Sequence, residues 1–288
     1  MNELETGKDQ DHHYIPQFLL RGWCNKAGIL TVYTRRNGLV VTSERHPRAT
    51  GFEPNLYALE QVPPERKHVV ENEFFSPHID ARAAPILKKI VEGGFKQVTT
   101  DERSDFSRFI LSLRARHPDA VALARARGIE EISRQLARDP HEYEALRTES
   151  SPESLTEWVR RNQPGLISNF GVSLLPRVVG HDATGERLFR MPWTLHDLTS
   201  ASFDLLLSDR PCLLDGNALE GVCTIAVPLD PRHLLFVSNN QVQMERLRLA
   251  NPNEVVKMIN RVSVVSAAER VYGTSGQHIK LVEKLFRR

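Results

Sequence analysis

The chain has 288 residues, 40% of them hydrophobic, and a formal net charge of +2. That length suits one large domain or two small ones, with enough apolar residues for a sizeable core. The near-neutral charge excludes a global electrostatic pull toward nucleic acid or anionic membranes, and no apolar run approaches the roughly 18 residues of a membrane span.

The opening MNELETGKDQ is polar and acidic and does not read as a signal peptide. In DHHYIPQFLLRGW, Pro16 suits the first turn of a short helix that buries Phe18, Leu19 and Trp23. ILTVYTRRNGLVVTSE places two β-rich runs around Asn37-Gly38, the dipeptide of type I′ turns, and predicts a hairpin over 31–42. GFEPNLYAL and QVPPERK then read as an irregular segment and an exposed loop. From about Val69 to Val91, Phe74, Ile79, Ala83, Ile86, Leu87 and Ile90 recur at helical spacing, and Gly93-Gly94 end the run.

A capping box at Thr99 and Glu102 starts the next helix. Phe106, Phe109, Ile110 and Leu113 form its buried face, and Pro118 kinks or breaks it. Shorter helices are expected over Ile129–Arg138, His141–Thr148, Pro152–Arg161 and Leu166–Val179. ERLFRMPWTL, SFDLLLSD, CTIAVPL and HLLFVSN read as strands. NPNEVVKMINRVSVVSAAERVYG reads as a helix begun near Asn251-Pro252, with a short helix after it. The order predicts an α+β fold in which the N-terminal hairpin joins the later strands in one sheet. One domain over 1–288 is expected, with a helical subdomain over about 66–180 and a polar lid or insertion over about 125–165. Cys24, Cys212 and Cys223 show no paired spacing, so they read as core thiols of a reducing, cytoplasmic compartment. Arg far outnumbers Lys, a weak pointer to carboxylate or phosphate pairing.

Several of these pieces together resemble the bacterial family catalogued as domain of unknown function 4238. The resemblance is carried by HHYIPQFLLRGW with its hairpin, VENEFFSPHIDARAAPILKKI, RARHP, LLLSDRPCLL, PLDPRHLLFVSN and INRVSVVSAAERVYG. It spans nearly the whole chain and implies a bacterial context and a site geography, but no activity. Arg210 stands where Asn is frequent in that family, and His117 where a small residue is frequent.

Four places offer chemistry. Neutral imidazole suits His12 or His13 to metal binding or general-base work. Adjacent side chains in extended chain point opposite ways, so only one faces a given cleft. The structural counterpart is one histidine capping the Pro16 helix and the other packing in the core. Asp209 ends an apolar strand before Pro211, a position for metal or acid/base chemistry, or for an Asx-turn. Glu71 and Glu73 lie early in the first long helix, and Glu73 and Asp80, seven apart, share an α-helical face. A carboxylate on the core side needs a cation such as Arg82, Arg108 or Arg116. Arg108 and Arg116 either bind a substrate's phosphate or carboxylate or lock a buried Glu–Arg pair. Of the scattered remaining histidines, most read as surface, and His117 as a neighbour of the helix arginines. No Walker loop, GxGxxG, GxSxG or HExxH occurs.

Three functions follow. The first is a hydrolase or nuclease using His12 or His13 with Asp209 and Glu73, around a divalent metal ion, with Arg108 and Arg116 on the substrate. The second is a non-catalytic ligand-binding or regulatory module, in phage defence or stress response. The third, a nucleic-acid binder, is disfavoured by the low charge and the lack of a basic stripe. The enzyme reading requires His12 or His13 to face a cleft beside Asp209.

Overall fold

The computed structural model describes residues 8–138, 140–217 and 220–286. β1 (Asp11–His13) leads through Pro16 into α1 (Gln17–Leu20), and a 3-10 turn carries the chain to Trp23. Pro16 is the N-cap, Leu19, Leu20 and Trp23 are buried, and Phe18 is half-buried against Phe109. The Trp23 indole donates to the Leu205 carbonyl at 2.7 Å, tying the segment to the other half of the chain. β2 (Leu30–Arg36) and β3 (Leu39–Arg45) form the expected hairpin. Asn37 and Gly38 have φ of 49° and 81°, the two positive angles that a type I′ turn requires. β4 (Phe52–Pro54) pairs with β1.

The expected first long helix has two windings. Val70–Asp80 is a π-helix, and α2 (Ala81–Gly93) continues it as an α-helix. Val70, Phe75, Ile79 and Ala83 are buried at successive spacings of five, four and four. Phe75, four before Ile79, is buried and the expected Phe74 is half-buried, while the five-residue step of the wider winding brings Val70 to the same side. α3 (Thr100–Ala115) has its capping box at Thr99 and Glu102, and Phe106, Phe109, Ile110 and Leu113 are buried on it. α4 (Pro118–Leu136) starts at Pro118, with the His117 ring accepting from the Asp119 N–H.

α4 passes straight through Gly128, where a separate helix over Ile129–Arg138 was expected. α5 (Pro140–Leu146), α6 (Leu155–Asn162), α7 (Leu166–Ser173), α8 (Leu175–Val179) and α9 (Asp182–Arg190) follow. Gly128 is the crossing point of α4 and α7: a Cβ there would sit 2.3 Å from the Gly171 N, and one on Gly171 would sit 1.9 Å from the Ala124 carbonyl oxygen. Glycine is used for close backbone approach here, not as a helix stop.

The later strands are β5 (Trp193–Asp197), β6 (Leu207–Ser208), β7 (Leu213–Gly216), β8 (Cys223–Pro228) and β9 (His233–Ser238). α10 (Gln241–Leu249), α11 (Pro252–Ser266), β10 (Arg270–Gly273) and α12 (Ile279–Leu285) complete the order. The fold is α+β. The hairpin does join later strands, but only two of them, in the order β3-β2-β10-β6. The others form a second antiparallel sheet, β5-β9-β8-β7. Local pairing explains the division: the Asp230 carboxylate accepts from the N–H groups of Arg232 and His233 and closes the tight β8–β9 turn. ERLFRMPWTL is half helix and half strand, since α9 runs to Arg190 and β5 starts at Trp193. An apolar cluster that includes Leu234, Phe236, Val255 and Ile259 joins the second sheet to α11.

Candidate functional site

His12 is fully buried on β1, stacked on the Tyr57 ring at 5.2 Å. The Tyr57 N–H donates to His12 Nδ1 at 2.9 Å, so that nitrogen carries no proton. His12 Nε2–H then donates to His68 Nδ1 at 2.9 Å, and His68 Nε2–H donates to the Lys8 carbonyl at 3.0 Å. A second proton on His12 would point at the Tyr57 N–H. Burial, helped by His68, Lys67 and His13, accordingly holds this imidazole down at about 4. His13 points away, as alternation demands, and lies against Phe52 with ring centroids 5.3 Å apart. Its Nε2 is buried without a hydrogen-bond partner, and burial lowers its pKa.

Arg116, at the C-cap of α3, is the second polar centre. It is 0% exposed. Its two terminal nitrogens reach the Asp80 carboxylate at 2.8 and 3.1 Å, one of them also donates to Ser112 Oγ at 2.7 Å, and the guanidinium lies 4.8 Å from the Phe75 ring centre. The Tyr57 hydroxyl donates to the Arg116 carbonyl at 2.9 Å. Burial opposes the charge of Arg116, but Asp80 outweighs it and the pKa is raised. Glu71 adds a second carboxylate near this guanidinium. Burial raises it to about 7, against the pull of Arg116 and with a push from Asp80, and its Oε2 has no hydrogen-bond partner.

The other expected residues lie elsewhere. Asp209 is 2% exposed. Its carboxylate accepts from the N–H groups of Ala268, Glu269 and Arg270 at 2.8, 2.6 and 2.8 Å. It clamps the corner between α11 and β10, which is why AAERVYG leaves the helix it was expected to extend. The Asx-turn alternative expected donors nearby in the chain, whereas these three lie 59 to 61 positions away. Neither His12 nor His13 is hydrogen-bonded to Asp209. Glu73 is exposed on the π-helix. Arg108 is half-buried and pairs with Asp105 at 3.1 Å, one helical turn away. Arg116 alone of the two arginines meets the helix carboxylates.

A cavity of about 760 Å³ lies between the α3–α4 corner, strands β7, β8 and β9, and helices α10 and α11. Leu213, Ala226, Phe236, Leu247, Val255 and Ile259 supply apolar wall. His117 reaches it from the N-cap of α4, with its ring centroid 5.7 Å from that of Tyr14. Arg114, Arg210 and Arg246 lie around it. Arg210 is paired with Asp119.

The family described as protein of unknown function DUF4238 matches residues 11–277. The chain belongs to that family. No curated protein and no solved structure matches it. In this DUF4238 protein three of the stretches that carried the resemblance supply the two polar centres. HHYIPQ brings His12 and Tyr14, VENEFFSPHID brings Glu71 and Asp80, and RARHP brings Arg116 and His117. SDRP and AAERVYG meet through Asp209. Among the described residues, no three His, Cys, Asp or Glu side chains are grouped to hold a metal ion. Nor is any helix among them long and apolar enough to cross a membrane.

Sequence reasoning did not single out Tyr57, Arg114 or Arg246, and it left His68 among scattered histidines, most of them read as surface. His12 and His68 stand 56 positions apart, and no local pattern links them. Glu71 was considered beside Glu73, and helical phase selected the wrong one.

Proposed function

We propose that the protein is a non-catalytic ligand-binding module whose ligand occupies the cleft between the α3–α4 corner and α10–α11. One observation carries this reading: a cavity of about 760 Å³ with a mostly apolar wall. Small-molecule sites occupy roughly 300–1,000 Å³ and have that composition. The hydrolase or nuclease reading needs His12 or His13, Asp209 and Glu73 in one open cleft. Asp209 is engaged by three backbone N–H groups, both ring nitrogens of His12 are bonded, and Glu73 faces solvent. None of the four residues lines the cavity. That pattern supports fold-locking roles for His12 and Asp209 and leaves the cleft as the place for a ligand.

The test is binding of an environment-sensitive apolar dye to the folded protein, compared with Met258→Glu and Ala120→Trp. Met258 is 46% exposed on α11 and Ala120 half-buried on α4, so both changes alter the cleft without emptying the core. Loss of dye binding in both variants, at unchanged melting midpoints, is expected. Equal binding by all three proteins would overturn the reading.

A further inference from the structure

The charges around the cleft narrow the class of ligand. Most polar side chains that line it are already paired. Arg210 is held by Asp119, Glu254 by Lys257 at 2.8 Å, and Thr224 by Gln243. Arg114 on α3 and Arg246 on α10 are exposed and both line the cleft. Among the described residues neither has an ion-pair or hydrogen-bond partner. Asp215 is the one acid of the lining in the same condition, so two uncompensated cations stand against one anion. Both arginines are guanidinium forks suited to carboxylate or phosphate oxygens. The same lining includes Leu213, Ala226, Phe236, Leu247 and Met258, which offer a hydrocarbon only dispersion and burial.

We infer that the cleft takes a single-chain amphiphile: an extended hydrocarbon laid along the sheet and α11, with a carboxylate or phosphate head between Arg114 and Arg246. This inference rests on the proposal that the cleft is the binding site. A neutral apolar ligand leaves both guanidinium groups without an anion. A fully polar anion leaves the apolar wall uncovered. An amphiphilic anion satisfies both.

The experiment is calorimetric or fluorescence titration of the full-length protein, below micelle-forming concentrations. The probes are decanoate, dodecanoate, tetradecanoate, dodecyl phosphate, dodecanol and dodecyltrimethylammonium. The expected result is saturable binding of one anion per chain. Affinity should rise roughly threefold to fourfold for each added methylene. Dodecanol should bind about tenfold more weakly than the tighter of the two anions, and the cation more weakly still. Arg114→Gln with Arg246→Gln should erase the gap between acid and alcohol while leaving dodecanol affinity unchanged. Preference for dodecanoate fixes the head as a carboxylate, and preference for dodecyl phosphate fixes it as a phosphate. If dodecanol or the cation binds as well as both anions, or the gap survives in the double variant, the inference fails although the cleft still binds. If no chain and no dye binds, or if Met258→Glu leaves all binding intact, the cleft proposal itself fails. Scattering that shows self-association, lost in Met258→Glu, would mark a second copy as the occupant and overturn the inference.

Discussion

Asp209 decides between a chemical and a structural role, and its removal has a calculable cost. Three backbone N–H groups, at 2.8, 2.6 and 2.8 Å, converge on a carboxylate that is 2% exposed. In Asp209→Ala all three donors lose their acceptor. Each buried donor left without a partner costs about 1–3 kcal/mol, and relaxation of one shared corner lets some find water. A total of roughly 3–5 kcal/mol follows, which is large for a single substitution. Asp209→Asn keeps one acceptor oxygen but turns an NH₂ toward backbone N–H groups, and should cost roughly 1–3 kcal/mol. Urea unfolding followed by far-UV circular dichroism reads both, provided the slope of free energy against urea stays constant. The order Ala, then Asn, then wild type is required in addition to the size. A cost below about 1 kcal/mol for Asp209→Ala would refute the clamp and return Asp209 to the list of chemical groups.

Three other perturbations test the buried polar groups and the helix crossing. His12 takes its proton near 4 when folded and near 6.5 when unfolded. Its contribution is complete above pH 6.5 and is lost as pH falls toward 4, a span worth roughly 3 kcal/mol; urea titrations across that range should slope accordingly, and His12→Gln should flatten the slope. Glu71 carries the opposite sign, because its folded pKa of about 7 lies above its ordinary 4.5. The folded state keeps that proton longer, so stability falls as pH rises from 4.5 to 7. Glu71→Gln should gain about 2–3 kcal/mol at pH 8 and almost nothing at pH 4, and equal stability at both pH values would contradict the buried position. Gly171→Ala would put a methyl 1.9 Å from the Ala124 carbonyl oxygen and should lower stability by about 1–3 kcal/mol in a thermal melt; an unchanged midpoint would mean that α4 and α7 do not cross there.

What the sequence reveals depends on how local the cause is. The hairpin was legible because two adjacent residues tolerate positive φ. The start of α3 was legible because Thr99 and Glu102 satisfy each other's backbone donors three residues apart. β10 was not, because its four residues follow a helical pattern and are turned into a strand by Asp209, some 60 positions earlier. The continuity of α4 was not legible either, because the partner that makes Gly128 necessary is Gly171. In each missed case the deciding partner is distant in sequence and close in space.

The candidate site adds a failure of another kind, one of phase. Glu71 and Asp80 are nine residues apart, which on an α-helix of about 3.6 residues per turn means opposite faces. Glu73 and Asp80, seven apart, share an α-helical face, and so Glu73 was preferred. The i→i+5 winding of Val70–Asp80 carries more residues per turn, and nine residues then return to nearly the same face. The buried series Val70, Phe75, Ile79 follows the same phase. Winding and charge placement are thus one feature: rewound as an α-helix, the segment would send Glu71 to solvent and release Arg116 from its second carboxylate. The cost of the observed winding falls on Glu71, whose buried Oε2 has no donor and whose proton is held to about 7. Phe75, four residues before the buried Ile79, stays on the core side in either winding, so the apolar residue that the wider turn brings to the core is Val70, five before Phe75. Burial of the Val70 side chain, worth roughly 1.5–3 kcal/mol, is comparable to the electrostatic penalty on the carboxylate, so packing sets the helix phase and the charge follows.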